Sequence, residues 1–354
     1  MNINFKFEYV LYRLYKLTMA SPTVTDIKVT DLSVSLKGPL VESKSHSDAE
    51  KQIIDKLSKL IPTTLVPKRI EFTINGVNNA VSNAIRRTVM CELLTYSLKV
   101  EYDSFATNDR FIIPEMLVRR FELIPIDQDV PKDIVFGLDA VNDGVLHRDV
   151  KSSEIKIISP GKTGIKKLPF NETFTLFALQ PGKFLKVNKI TIEPDFGYNF
   201  AGHVLASTPV SIAKDQIPYN SYTNTGIPSR LSNPKVWHVG FITNGAMEPK
   251  KVVKYACENI IARLLAVQEL FYSIKNNEDE YILVVDGESD TIGNLFMRTI
   301  IELYPDIRAV TWSSASVGRS ITIRIKCDED ITTVLSTSVK HIIRQFNEIK
   351  KFFN

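Results

Sequence analysis

Two guanidiniums stand side by side at Arg86 and Arg87, one helical turn after Asn83. Arginine offers a planar fork of donors that grips a carboxylate or a pair of carbonyl oxygens bidentately, and the amide adds a third polar group on the same flank. That is chemistry for holding a partner. Groups for turning over a substrate are harder to find. Asp286, Glu288 and Asp290 alternate in the manner of metal ligands, but Thr291 stands where a calcium loop needs glycine, and no acid follows at the twelfth position. Gly161-Lys-Thr163 imitates the end of a phosphate loop, yet its opening glycine is replaced by Lys156, and residues 164–169 do not begin a helix. His46, His147, His203, His238 and His341 include no pair at i and i+4 and no triad-like neighbour. No catalytic residue, cofactor site or metal site is expected.

Composition narrows the classes further. The chain has 354 residues, 44% hydrophobic and 24% charged, which leaves room for two or three cores. A net charge of +4 does not by itself argue for nucleic-acid binding. Cys91, Cys257 and Cys327 form no Cys-x-x-Cys pair, and the first and second sit in apolar helical patterns, so small buried residues in a reducing compartment are expected. No apolar run approaches the roughly 20 residues needed to span a bilayer. Phe7, Val10, Leu11, Leu14 and Leu17 recur at helical spacing in the first 19 residues, interrupted by Arg13 and Lys16, so a secretory signal is not expected. An arm ahead of a start at Met19 and a helix that docks on a partner both stay open.

The elements that position the arginines form a pair. Phe72-Thr-Ile-Asn-Gly-Val-Asn-Asn-Ala-Val-Ser-Asn-Ala-Ile-Arg-Arg87 reads as a strand feeding a helix, with Val81, Ala84, Ile85, Thr88 and Val89 on its apolar face. A second strand leads into Glu288-Ser-Asp-Thr-Ile-Gly-Asn-Leu295, a helix start capped by Asp290 or Thr291, with a stripe of Ile292, Leu295, Phe296, Ile300 and Leu303 that stops at Pro305. Residues 127–236 change character: turns at Asn142-Asp-Gly144, Ser159-Pro-Gly161, Gln180-Pro-Gly182 and Ile227-Pro228 separate short β-like runs. Residues 1–66 hold polar sequence and one amphipathic stretch at 49–60.

Two long helices carry the clearest periodicity. Val253, Cys257, Ile260, Leu264, Val267, Phe271 and Ile274 are spaced alternately by four and three, and so are Leu335, Val339, Ile342, Phe346, Ile349 and Phe353. Such alternation is the seam of helices packed lengthwise at a shallow angle, which predicts that the two cover each other, with packing of each on its own sheet as the alternative. The link at residues 275–281 reaches at most about 25 Å. Tethering at that range corresponds to an effective concentration of order mM, so the halves would pair within the chain.

Together these motifs, with Pro114-Glu-Met-Leu-Val-Arg-Arg-Phe-Glu-Leu-Ile-Pro-Ile126, resemble the alpha-like subunits of multisubunit DNA-directed RNA polymerases. The first motif is similar to the larger partner (third-subunit type) and the second to the smaller, eleventh-subunit type; the resemblance covers roughly residues 67 to 354. It implies an α+β fold with two dimerisation modules closed as an intramolecular pseudo-heterodimer: 67–126 with 237–276, then 277–354, a β-rich insertion at 127–236, and a partly disordered extension at 1–66. It implies a non-catalytic assembly platform, with Asn83, Arg86, Arg87, Glu115, Arg120 and Pro125 facing the two largest subunits. Ile85, Val89, Ile260, Leu264, Val267, Phe271, Gly293, Asn294, Leu295, Phe296, Leu335, Val339, Ile342, Phe346 and Ile349 would line the internal interface. Small zinc-bearing adaptor subunits are further implied partners; DNA would be met only through the complex, and no membrane or small-molecule substrate is implied.

Some features depart from the pattern. Glu122 stands where relatives usually have glycine, and Asp290 where the smaller partner usually has histidine. No cysteine lies between 92 and 256, so the metal cluster of some larger partners is not carried over. Asp328-Glu-Asp330 lacks the Asp-x-Asp-Gly-Asp motif that holds catalytic magnesium in the largest subunits; ahead of the last helix it suits the helix dipole. Fusion of the two partners is reminiscent of large DNA viruses that transcribe in host cytoplasm. A stand-alone homodimeric scaffold and a basic nucleic-acid-binding module are the competing readings.

Overall fold

The computed structural model describes residues 21–31, 65–161, 167–170, 174–214, 234–277 and 280–353. The periodic stretches within 1–19 and 49–60, the end of the Gly161-Lys-Thr163 segment and the Ile227-Pro228 turn lie outside them. Residues 23–31, within the stretch expected as an extension, form strand β1 (Thr23–Asp31), which pairs antiparallel with β2 (Lys68–Asn75). The pairing shifts register between Thr25 and Lys28, where Asp26 takes a φ of 54°. That bulge breaks the alternation of two by which a strand is recognised in sequence.

β2 buries Ile70, Phe72 and Ile74 on one face and ends at Gly76, whose φ of 81° glycine adopts without steric cost. Asn78 then accepts the N–H groups of Ala80 and Val81 at 3.0 and 3.2 Å and starts helix α1 (Asn79–Arg87). A π turn over Thr88–Glu92 follows and carries the buried Glu92.

From here the chain builds a separate β layer. β3 (Leu94–Val100), β4 (Phe105–Thr107), helix α2 (Pro114–Glu122), β5 (Val135–Asn142), β6 (Arg148–Lys151), β7 (Ile155–Ser159), β8 (Thr175–Leu179) and the 14-residue β9 (Lys183–Phe196) follow in order. β3, β9, β5 and β7 form one antiparallel sheet with β4 also on β9, and β6 pairs with β8. α2 opens with proline at its first position, where no N–H is required, and turns Leu117, Val118 and Phe121 inward. Its core holds Leu98, Phe121, Phe136, Phe170, Leu185 and Ile190.

β10 (Ala206–Ala213) and β11 (Val236–Thr243) return the chain to the first sheet, ordered β1-β2-β11-β10. Helix α3 (Pro249–Glu269) follows. The link to the second half is folded: β12 (Lys275–Asn277) pairs antiparallel with β13 (Glu280–Asp286). β13 ends at Gly287, φ 78°, before α4 (Asp290–Leu303), which repeats the design of the first motif. β14 (Ala309–Ser314) and β15 (Ser320–Lys326) complete the sheet β12-β13-β15-β14, and α5 (Ile331–Lys351) closes the described chain with Asp330 capping Thr333 at 2.8 Å. α3 packs against α5 and α1 against α4, and both four-stranded sheets and all four helices share one buried cluster. The fold is α+β with antiparallel sheets throughout.

Candidate subunit interface and the polar junction beneath it

The adjacent arginines diverge. Arg86 stays on the flank of α1, its Nε donating to Asn83 Oδ1 at 2.8 Å. Arg87 turns toward α4: Nε donates to Thr291 Oγ1 at 3.0 Å, and the guanidinium lies 3.9 Å from both Asp290 and Glu92. A helix places successive residues about 100° apart, so neighbouring side chains serve different surfaces.

Arg87 borders a buried cluster that the sequence reading missed. Arg263 of α3 donates to Glu92 at 2.6 Å and to both carboxylate oxygens of Glu288 at 2.5–3.1 Å. Ser289 and Thr291 hydroxyls donate to Glu92 at 2.9 and 2.8 Å. Ser289, not Asp290 or Thr291, precedes the first residue of α4, and its hydroxyl is committed to Glu92 instead of capping the helix. Burial pushes the Glu92 carboxyl up, but the Arg263 charge and the hydrogen bonds from Arg263, Thr291 and Ser289 outweigh it and hold Glu92 below its ordinary value. Burial acts against the Arg263 charge, and the two carboxylates more than offset it. One signal was available: Arg263 is the lone charge in the apolar run Ile260-Ile-Ala-Arg-Leu-Leu-Ala-Val267.

The other end of α1 is held similarly. Asn78, while capping α1 with its oxygen, donates through Nδ2 to Glu302 Oε2 at 2.9 Å, and Lys235 pairs with the second Glu302 oxygen. Burial raises the Glu302 carboxyl, and the bonds from Lys235 and Asn78 bring it below its ordinary value. Ile85, Val89, Ile260, Leu264, Val267, Leu295, Phe296, Leu335, Val339, Ile342, Phe346 and Ile349 are buried in the shared core, with Phe271 packed against it. Phe271 meets Phe296 edge-on at 6.4 Å, and Phe72 meets Phe353 at 4.9 Å. Gly293 is buried where a Cβ would come within 2.9 Å of the Trp312 ring, and Asn294 is half-buried beside it.

Glu115, Arg120 and Pro125 lie on and after α2, away from α1. Glu115 is exposed; Arg120 donates to the Leu176 carbonyl; Pro125 is half-buried. Beside Arg120 an apolar groove of about 200 Å³ is lined by Phe111, Ile113, Met116 and Phe177, with Phe111 77% exposed. On the inner side Glu122 is buried between Lys99 at 3.1 Å and Arg119 at 3.0 Å, both also stacked on Phe200. Gly202 packs on the Glu122 backbone so closely that a Cβ would fall 1.9 Å from its carbonyl oxygen. His203 accepts from Ser97 at 2.8 Å and donates to the Thr95 carbonyl at 2.9 Å, and burial pushes the imidazole down. Among the described residues no group of three or more His, Cys, Asp or Glu could hold a metal ion, and no helix is long and apolar enough to cross a membrane.

Two strand-turn-helix motifs sharing one core, with an intervening β layer, fit a fused alpha-like subunit of the multisubunit RNA polymerase type, the larger and smaller partners in one polypeptide. The chain is 24% identical over 357 residues to the DNA-directed RNA polymerase RPB3-11 homolog of African swine fever virus, in a tick isolate from Malawi and again in a warthog isolate from Namibia. These alignments cover 92% of this chain and 96% of each relative. Over 75 residues it is 32% identical to the DNA-directed RNA polymerase subunit Rpo3 of Thermococcus kodakarensis, covering 21% of this chain and 27% of that protein. No family model matches the chain.

Proposed function

We propose that this chain is a non-catalytic assembly platform of a multisubunit DNA-dependent RNA polymerase. Its alpha-like halves close on each other as an intramolecular pseudo-heterodimer and dock the two largest subunits. In this reading residues 67–126 with 237–276 form the larger-partner module and 277–354 the smaller, with 127–236 inserted and 1–66 ahead of them. The observation that carries it is end-to-end similarity to relatives whose printed name joins both subunit types, along 92% of the chain. The groove at Phe111, Ile113 and Met116 beside Arg120 supports a docking face on α2, since exposed apolar patches rimmed by polar groups mark contact surfaces. Small zinc-bearing subunits are further proposed partners, and DNA is met through the complex. By analogy with the viral relatives, it would work in host cytoplasm and travel in the virion.

The test uses the tagged full chain co-expressed with the two largest polymerase subunits. Wild type should recover both, and the double variant Phe111→Asp/Met116→Asp should lose them while keeping its urea midpoint. Capture that survives this change would remove the α2 face from the proposed docking surface; a wild-type chain that recovers neither subunit would defeat the platform reading.

A further inference from the structure

The strand-turn-helix motif and the long helix of each half can be matched in sequence, and the polar contacts between the halves do not respect that match. With Gly76 matched to Gly287, Val77 falls opposite Glu288, Asn79 opposite Asp290, Thr88 opposite Thr299 and Cys91 opposite Glu302. With the 21-residue helices α3 and α5 matched end to end, Asn259 falls opposite His341 and Arg263 opposite Gln345. Buried polar atoms mark the same matches: Thr88 Oγ1 and Thr299 Oγ1, and Asn259 Oδ1 and His341 Nε2, all lack a hydrogen-bond partner among the described residues.

Across this approximate two-fold three ion pairs run one way, the most buried being Arg263 with Glu288. The first half brings Arg87, Lys235 and Arg263; the second brings Asp290, Glu302 and Glu288. One pair runs in reverse, Lys350 with Glu258 at 3.5 Å, longer and more exposed than Arg263 with Glu288 at 2.5 Å. At the matched positions the carboxylates vanish: Val77 stands for Glu288, Asn79 for Asp290 and Cys91 for Glu302. The guanidinium of Arg263 is likewise replaced by the amide of Gln345.

We propose that this one-way charge pattern selects the pairing: each half accepts the other and rejects a second copy of itself. Two first halves would set Arg263 against Val77, leaving it Glu92 of its own half but no second carboxylate, and Lys235 against Cys91 without the Glu302 carboxylate. Two second halves would set Glu288 against Gln345, burying an anion without its cation. An unpaired buried charge is far costlier than the net value of the pair, so the device works mainly by penalising wrong partners. The inference rests on the intramolecular-pairing reading and names the partner surface: the second half of the same chain.

The experiment compares the full chain carrying Arg263→Glu, Glu288→Arg or both, by urea unfolding and light-scattering mass. Each single reversal should lower the folding equilibrium constant about 100-fold and give particles heavier than the 40.0 kDa chain as opened seams self-associate. The double reversal should regain at least about tenfold and return to 40.0 kDa. If a single reversal yields no folded protein, Arg263→Gln, Glu288→Gln and their double carry the same cycle, with the double's loss expected to be smaller than the sum of the single losses. Additive losses, or a single reversal that stays monomeric and stable, overturn the proposal. Large-subunit capture by the folded double reversal is scored separately, because its loss bears on the platform and leaves the pairing result standing.

Discussion

Arg86 and Arg87 are chain neighbours with separate tasks, and substitution should separate them. Arg86→Ala leaves the junction untouched, so the urea midpoint should hold while capture of large subunits weakens. Arg87→Ala removes the bond to Thr291 and should cost about 1 kcal/mol of stability, the modest figure reflecting a partly exposed guanidinium. Gly202→Ala should be worse, about 2 kcal/mol or more, because the added methyl meets backbone at Glu122 and neither side can yield without moving a turn. Acid should also weaken the fold. His203 and His341 are both held below the ordinary 6.5, chiefly by burial, so the unfolded chain binds protons more readily and stability falls as pH drops through that value. Glu92, held below its ordinary 4.5, adds a further loss as pH falls beneath that range. Unfolding midpoints measured between pH 8 and pH 4 should decline on the acid side; a flat profile would contradict these assignments. At this scale the sequence revealed the adjacent arginines but not their directions. Thr291 and Asp290, which meet Arg87, belong to the other half of the chain, and nothing in a local pattern says which flank of α1 will be covered.

Among the elements, α1 depends on a single amide at its start. Asn78 caps the helix with its oxygen and reaches Glu302 with its nitrogen, so Asn78→Ala loses all three bonds and should cost about 2 kcal/mol. Asn78→Asp keeps the cap but aims a carboxylate at Glu302; thermal unfolding should find it no better than alanine, whereas an isolated cap would make it wild-type-like. On the α3–α5 seam, Phe346→Ala should cost about 3–5 kcal/mol, since the ring is fully buried between elements of both halves. The seam was legible because alternating spacings of four and three are a property of the helix alone. β1 was not, because the bulge at Asp26 destroys its period and its partner strand lies some 40 residues on. The β12–β13 hairpin was taken for a plain link because Lys275-Asn-Asn277 has no apolar alternation; pairing with β13 makes it a strand.

At the scale of the molecule, one core serves both motifs and a second serves the β layer between them. The larger plan was therefore visible in two copies of a strand-turn-helix pattern and two matching seams. The polar junction was hidden, because Glu92, Arg263, Glu288 and Ser289 come together only when three distant segments fold. The central claim is that the fused halves form a closed platform for large polymerase subunits. The most direct test is purification of the tagged chain from its native source, with the stoichiometry of the intact complex determined by mass spectrometry. One copy of this chain with one copy of each of the two largest polymerase subunits is the expected result. Recovery of the chain alone, or paired only with a second copy of itself, would contradict it.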